Sequence, residues 1–204
     1  MSSSPSLEQD ATRPDEVGSA AQRERRQRIL DATIALATSG GFEAVQMRAV
    51  AEQADVALGT LYRYFPSKIH LLVSALGREF DRAEAAWASR IPPGDTPADR
   101  VIHVLRRTSR GLQGDRHLTE ALTRAFMFAD SSVQAEIHHV GMTLTKMLTR
   151  AMDPGRTEVS DDDVAIARVI GDVWLSALVA WVTGRSTDEE TAAHMDRAVR
   201  LILR

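Results

Sequence analysis

Helical periodicity is the feature that most restricts the fold of this chain. From Ala21 onward, core-type residues recur at intervals of three and four, and no segment shows the alternation of a half-buried strand. The first repeat, Ile29, Ala32, Thr33 and Leu36, ends at the Gly40–Gly41 pair, which favours a left-handed helix stop. The sequence therefore predicts an all-α protein with about nine helices.

Two of the predicted helices are short and follow each other closely. Residues 47–54 repeat the helical spacing for barely two turns, Asp55–Val56 interrupts it, and a second helix covers about residues 57–65. Two short helices joined by a tight turn and braced by an earlier helix form a helix-turn-helix, whose second helix enters the DNA major groove. The pattern predicts an N-terminal three-helix DNA-binding domain.

The second short helix, in the stretch "DVALGTLYRYFPSK", has a surface suited to contact. If Val56, Leu61 and Phe65 pack inward, the outer side carries Leu58, Gly59, Thr60, Tyr62, Arg63 and Tyr64. The hydroxyl groups and the guanidinium can bond phosphates or base edges, and a leucine can touch a thymine methyl group. The alternative is an exposed aromatic patch that binds another protein.

The rest of the chain divides into a tail and a larger helical domain. Residues 1–20 are polar and aperiodic, which predicts a disordered tail, followed by a DNA-binding domain at 21–68 and a ligand-binding and dimerisation domain at 69–204. The net charge is −3, but residues 21–68 hold seven basic and five acidic side chains. The basic run "RERRQR" at 23–28 is either a solvated helix start or an arm along the DNA backbone.

Later helices carry clear start signals and candidate ligand contacts. Ser67 is a predicted N-cap, and capping-box spacing occurs at Thr96–Asp99, Ser160–Asp163 and Thr187–Glu190. Aromatic and methionine side chains suit an apolar cavity, although each alone is more often part of a core. The candidate ligand-binding residues are Phe80, Trp87, Leu105, Phe126, Phe128, Met142, Met147 and Trp174.

One predicted helix, residues 160–183, is apolar on nearly all sides. Such a helix must be covered on both sides, either as a central core helix or between a ligand and a second subunit. We favour a homodimer completed by the last helix, because a two-fold protein matches the two halves of a palindromic operator.

Several classes of function find no support in the sequence. Cysteine is absent, and the adjacent His138–His139 point to different sides of a helix, so no metal site is expected. No catalytic triad, nucleophile elbow or phosphate loop is present, so we predict no catalytic residues and no cofactor. Neither a secretory signal nor an uninterrupted run of about 20 apolar residues is visible, so a cytoplasmic location is expected.

The segment "GGFEAVQMRAVAEQADVALGTLYRYFPSK" resembles the DNA-binding signature of the TetR family of bacterial transcriptional regulators. By position, the resemblance implies DNA contacts from Arg48, Leu58, Gly59, Thr60, Tyr62, Arg63, Tyr64 and Lys68. It also implies double-stranded operator DNA, a small hydrophobic effector and a second copy of the chain as partners. The sequence departs from the family where Val45–Gln46 and Ala57 replace common hydroxyl caps.

Further segments, "AQRERRQRILDAT", "SALGREF", "LTEALTRAFMFAD" and "IARVIGDVWLSALVAW", are similar to actinobacterial family members that repress cholesterol and steroid catabolism. This similarity implies a repressor released by a CoA thioester of a sterol-derived acid. If so, the cluster Arg106, Arg107 and Arg110 could hold the CoA phosphates. The alternative function is an all-helical carrier or enzyme for a hydrophobic ligand that does not bind DNA.

Overall fold

A computed structural model of the chain describes residues 14–87, 90–156 and 158–204. In these ranges the regular structure consists of nine α-helices and one 3-10 turn at Ser131–Val133. The helices are α1 (Pro14–Ala44), α2 (Met47–Gln53), α3 (Leu58–Tyr64), α4 (Lys68–Trp87), α5 (Pro97–Gln113), α6 (Arg116–Met127), α7 (Gln134–Met152), α8 (Asp161–Val182) and α9 (Asp188–Ile202). The all-α fold class predicted from the periodicity is confirmed.

The first helix differs from the prediction at its start. It begins at Pro14, so residues 14–20 of the predicted tail are helical, while residues 1–13 of that tail lie outside the described residues. Pro14 suits the first turn of a helix because its missing N–H has no partner there. The helix breaks at the glycine pair as expected, with a φ of 65° at Gly41, before one more turn at Phe42–Ala44.

The helix starts follow the predicted caps closely. Ser67 Oγ accepts the His70 N–H at 3.3 Å at the start of α4. Full capping boxes form at Thr96 with Asp99, Ser160 with Asp163 and Thr187 with Glu190. These local hydrogen bonds satisfy N–H groups that a helix start otherwise leaves open, so the sequence sets where α5, α8 and α9 begin.

The two parts of the chain are packed against each other. Ile29, Val50, Leu61 and Phe65 form the centre of the α1–α3 unit, and each is almost fully buried. Helix α1 packs along α6 and also contacts α4. The buried Arg78 of α4 donates to Asp31 Oδ1 at 2.7 Å, and this pairing lets a charged group lie between the two units.

Helix α8 is long and apolar enough to cross a membrane by length and composition alone. The core helix of a soluble protein meets the same test, and here α8 packs against α7, α9 and α6. The side of α8 that faces away from the cavity still exposes Ala165 and Val169 and leaves Val173 half-buried. An apolar stripe on this side is what the predicted subunit contact requires.

Candidate DNA-binding surface and ligand cavity

The recognition helix α3 separates its buried and exposed residues sharply. Leu61 and Phe65 are buried beneath α1 and α2, whereas Arg63 and Gly59 are exposed and Tyr62 is 46% exposed. A Cβ at position 59 would meet no atom within 4 Å, so this position faces open space. Because Gly59 has no side chain, another molecule can approach the helix backbone closely here. The exposed residues form one surface that a DNA groove can approach.

Three residues predicted to face outward, Leu58, Thr60 and Tyr64, are half-buried. Leu58 and Tyr64 are half-buried and pack against the core, as Val56 does. Leu58, Leu61 and Phe65 have i, i+3, i+7 spacing, so Leu58 falls on the inner face of this seven-residue helix. The prediction of a wholly outward Leu58 and Tyr64 is therefore corrected: both have one side on the core and one side open.

The remaining predicted DNA contacts lie on either side of α3. Arg48 is exposed on α2, and neither Gln46 nor Ala57 makes a side-chain cap, as the substituted cap positions predict. Lys68 is half-buried at the start of α4, and its ammonium lies 3.8 Å from the centre of the Phe42 ring. Burial lowers the pKa of Lys68, with Arg124 acting in the same direction and Glu43 and Glu120 opposing it.

The basic run of α1 reaches the same surface. Gln22, Arg25, Arg63 and Tyr64 line a small cleft between α1 and the end of α3. The Arg26 guanidinium lies 4.9 Å from the centre of the Phe65 ring. Positive charge from α1 is thus placed beside the exposed side of the recognition helix, a position suited to phosphate contacts that do not read sequence.

An apolar cavity of about 460 Å³ lies between α4, α6, α7 and α8. Four of the predicted ligand residues line it: Phe80, Phe126, Met142 and Trp174. The rings of Phe80 and Trp174 are 5.8 Å apart, and the Trp174 indole N–H donates to Ser109 Oγ at 2.8 Å. This hydrogen bond satisfies the indole in its buried position and fixes one wall of the cavity.

The other four predicted ligand residues do not line this cavity. Trp87 lies edge-on to the His103 ring, and Leu105 lies under a separate cleft between α5 and α9. Met147 is buried in the core, whereas Phe128 is 68% exposed. Phe128 lies just past the end of α6, so it leaves the face that Phe126 shares with the cavity. Contact with a ligand stays a prediction for these four residues, and the cavity does not support it.

Sequence reasoning missed several lining residues because they are small or ordinary. Thr119 and Thr123 of α6 face the cavity with Phe126, at i, i+4, i+7 spacing that the sequence does show. Gly171 of α8 approaches Leu144 of α7 so closely that a Cβ would lie 3.1 Å from its methyl carbon. The mouth carries polar side chains from two helices: His138, Arg168 and Asp172.

The arginine cluster of α5 lies away from the cavity. Arg106 pairs with Asp196 of α9 at 2.9 Å, and the Arg107 guanidinium lies 5.5 Å from the Trp87 ring centre. Arg106 and Arg110 line the separate cleft between α5 and α9. Within the described ranges, no group of three or more histidine or acidic residues is arranged to hold a metal ion.

A helix-turn-helix surface joined to a helical unit with an apolar cavity defines a ligand-responsive DNA-binding protein. The chain belongs to the TetR family: residues 29–75 match the model of bacterial regulatory proteins of the tetR family, and residues 94–202 match a tetracyclin repressor-like C-terminal domain. As a member of this family it is a transcriptional repressor that binds operator DNA as a dimer, and it is not an enzyme. The carrier or enzyme alternative is thereby excluded.

Curated relatives span both domains. The chain is 56% identical to the HTH-type transcriptional repressor KstR of Rhodococcus jostii, over 93% of this chain and 87% of the relative. It is 54% identical to KstR of Mycobacterium tuberculosis, over 92% of this chain and 84% of the relative. The predicted family resemblance is thus confirmed as a similarity to KstR repressors over most of the chain.

Solved structures show the same fold. A TetR transcriptional regulator from Rhodococcus sp. RHA1 superposes with a TM-score of 0.81 at 33% identity, covering 89% of this chain and 96% of that one. The regulator FadR from Bacillus subtilis, in complex with stearoyl-CoA, superposes with a TM-score of 0.58 at 20% identity, covering 87% and 97%. The second likeness is one of fold alone.

Proposed function

We propose that this repressor controls sterol or related lipid catabolism genes and leaves its operator when a hydrophobic CoA thioester occupies the cavity. The observation that carries the proposal is the 54–56% identity to KstR repressors over more than nine-tenths of the chain, including the helices that build the cavity. A DNA-binding regulator of this kind acts in the cytoplasm.

The proposed DNA-binding domain covers residues 21–68, and the ligand-binding and dimerisation domain covers residues 69–204. In this proposal the exposed residues Arg48, Gly59, Tyr62 and Arg63 contact DNA, and the half-buried residues Leu58, Thr60, Tyr64 and Lys68 contact it through their open sides. The recognition helices of the dimer would lie about one DNA turn, roughly 34–36 Å, apart.

The cavity suits the apolar part of such a ligand. Its volume of about 460 Å³ falls in the usual range for small-ligand sites, roughly 300–1,000 Å³. Phe80, Phe126, Met142 and Trp174 would contact the acyl portion, while the bulky nucleotide would stay at the polar mouth. The fold relative FadR binds stearoyl-CoA, which supports an acyl-CoA as the ligand class.

Release requires two conformations that the ligand distinguishes. Helix α4 starts at Lys68 beside the recognition helix and carries Leu76 and Phe80 into the cavity wall. A ligand that favours a shifted α4 would move the two DNA-binding units out of register. Linkage then requires that DNA weaken ligand binding by the same factor.

Operator binding measured by fluorescence anisotropy at several salt concentrations tests the proposal. The probe DNA is a duplex selected by the protein from a random pool, and the probe ligands are the CoA thioester of a C27 sterol side-chain acid and stearoyl-CoA. We expect steep salt dependence and release by the sterol thioester. Release by stearoyl-CoA alone would replace the sterol with a fatty acyl chain, and no release by either would discard the CoA thioester.

A further inference from the structure

Two cations from different helices lie close to the ring of Phe42. The Lys68 ammonium, at the start of α4, lies 3.8 Å from the ring centre, and the Arg124 guanidinium of α6 lies 4.2 Å from it. Both distances are well within the range of a cation–π interaction. Phe42 itself belongs to the last turn of α1, just after the glycine break.

Two carboxylates complete this cluster and join α6 to the end of α1. Arg124 pairs with Glu43 at 3.0 Å and lies 3.7 Å from Glu120, and the other oxygen of Glu120 accepts the Phe42 N–H at 3.2 Å. The backbone at Gly41 has a φ of 65°, and a Cβ there would lie 3.1 Å from Glu120. The positive φ favours glycine at this turn, and a Cβ there would press on the Glu120 carboxylate that accepts the Phe42 N–H.

The cluster restricts a side chain that would otherwise be mobile. A lysine side chain has several rotatable bonds, and much of that rotamer freedom is lost when its ammonium binds a phosphate. Here the stem of Lys68 is half-buried and its ammonium already has a fixed place on the Phe42 ring. Fixing a contact residue before its partner arrives lowers the cost of binding.

We propose that Phe42 is a positioning residue that holds the Lys68 ammonium ready for a DNA phosphate, and that Arg124 acts through Phe42 by fixing its ring and the end of α1. The inference rests on the DNA contact of Lys68 proposed above and adds that the partner of its ammonium is a phosphate. It also adds that a residue of the ligand-binding domain, Arg124, takes part in operator affinity although it lies on α6 and not on the DNA-binding surface.

A double-mutant cycle with the selected operator tests the inference without any ligand. Lys68→Gln should weaken operator binding by roughly three- to tenfold and reduce the salt slope by about 1 per subunit. Phe42→Leu keeps an apolar side chain but removes the ring, and Arg124→Gln removes the second cation. Each should reproduce part of the Lys68→Gln effect, and neither should weaken binding further in the Lys68→Gln background.

Arg116→Gln is the matched control. Arg116 also lies on α6 and its guanidinium is 5.5 Å from the Trp181 ring centre, but it contacts the end of α8 instead of α1. It should leave operator affinity and salt slope unchanged. Thermal unfolding of every variant shows whether a loss of operator affinity comes from a misplaced Lys68 side chain or from a less stable fold. Of the two positioning variants, Arg124→Gln is expected to disturb the fold less than Phe42→Leu.

The outcomes distinguish this inference from the contact on which it rests. If Lys68→Gln has no effect, the Lys68 phosphate contact fails and the inference fails with it. If Lys68→Gln has the expected effect but Phe42→Leu and Arg124→Gln have none, or add to it in full, only the positioning role is wrong.

Discussion

Leu61 and Arg63 lie two residues apart on α3, one buried and one exposed, so their substitutions should have different effects. Arg63 is exposed, so Arg63→Ala should cost about 1–3 kcal/mol of operator affinity with little change in stability. Leu61 is fully buried, so Leu61→Ala should instead cost about 2–5 kcal/mol of unfolding free energy. Anisotropy and urea denaturation measure the two effects, and a folding defect in Arg63→Ala would mean that the exposed face is misassigned.

Two methionines of α7 make a second matched pair. Met142 lines the cavity mouth and is 52% exposed, whereas Met147 is 4% exposed and does not line the cavity. Met142→Ala should weaken binding of the CoA thioester probe while the unfolding temperature barely changes. Met147→Ala should lower the unfolding free energy by about 2–5 kcal/mol and leave ligand affinity nearly unchanged. Calorimetric titration measures the ligand affinity and thermal unfolding measures the stability. A loss of ligand affinity in Met147→Ala but not in Met142→Ala would contradict the assignment.

Residue assignments were accurate where spacing within one helix decides burial, and less accurate where the packing of several helices decides it. Leu61 and Phe65 were predicted as buried because spacing within one helix decides it. Phe126 and Phe128 are both aromatic, but residues two apart on a helix point to nearly opposite sides and α6 ends at Met127, so only Phe126 reaches the cavity. Which aromatic lines a cavity depends on the angles between helices, which a periodic pattern does not contain.

Capping boxes give the helices a predictable acid sensitivity. The Ser160 hydroxyl hydrogen bond lowers the pKa of Asp163, and that of Thr96 lowers the pKa of Asp99. A carboxylate with a lowered folded pKa stabilises fully above its unfolded value, about 3.8, and the stabilisation is lost as pH falls through the folded value. Asp163→Ala should therefore lower the unfolding temperature at pH 7 and flatten its fall below about pH 5.

Asp162→Ala serves as the comparison for this effect. Asp162 lies in the same first turn of α8 and carries the same charge near the helix start, but it is not part of the capping box. Both variants lose the favourable interaction with the helix dipole, so the difference between them reports the cap together with the ion pair of Asp163 with Arg156 at 2.8 Å. Identical acid unfolding curves for the two would contradict a role for the cap.

Helix α6 has two working faces. Thr119, Thr123 and Phe126 line the cavity, while Glu120 and Arg124 hold the end of α1. A ligand that displaces α6 should therefore act on the DNA-binding unit through this contact as well as through α4. We expect Arg124→Gln to reduce the ligand-induced change in operator affinity by at least about fivefold, against a typical coupling of roughly 5–150-fold.

The control for this coupling is again Arg116→Gln, which should keep the full ligand response. The readout is the ratio of operator dissociation constants with and without the sterol CoA thioester, with ligand affinity measured separately. Equal ratios for wild type and Arg124→Gln would leave α4 as the sole route.

Local signals predicted helix starts well but not the contacts between helices. The boxes at Thr96, Ser160 and Thr187 each act within four residues, so they can be read from sequence. The contact of Phe42 with Arg124 joins residues far apart in the chain. For Lys68, the family resemblance implied only a DNA contact and not its place on the Phe42 ring. Such a cation–π cluster has no sequence signature, so it becomes visible only in the folded chain.

For the whole molecule, the uncovered side of α8 predicts where the dimer forms. Val169 is 50% exposed on α8 and does not line the cavity, so Val169→Glu should place an unpaired charge in the subunit contact. We expect monomers by light scattering and a large loss of operator affinity. Ile91→Glu alters an exposed apolar residue between α4 and α5 and should leave the dimer intact. A dimer that survives Val169→Glu would place the contact elsewhere.

The Trp174 indole in the cavity wall also gives the protein a built-in optical reporter. Of the three tryptophans, Trp174 lines the cavity, whereas Trp87 and Trp181 lie beside Arg107 and Arg116. A ligand that enters beside Trp174 changes the polarity around the indole and disturbs its bond to Ser109. Cavity occupancy should therefore shift the intrinsic emission spectrum, so candidate effectors can be screened by fluorescence without labelling the protein or knowing its operator.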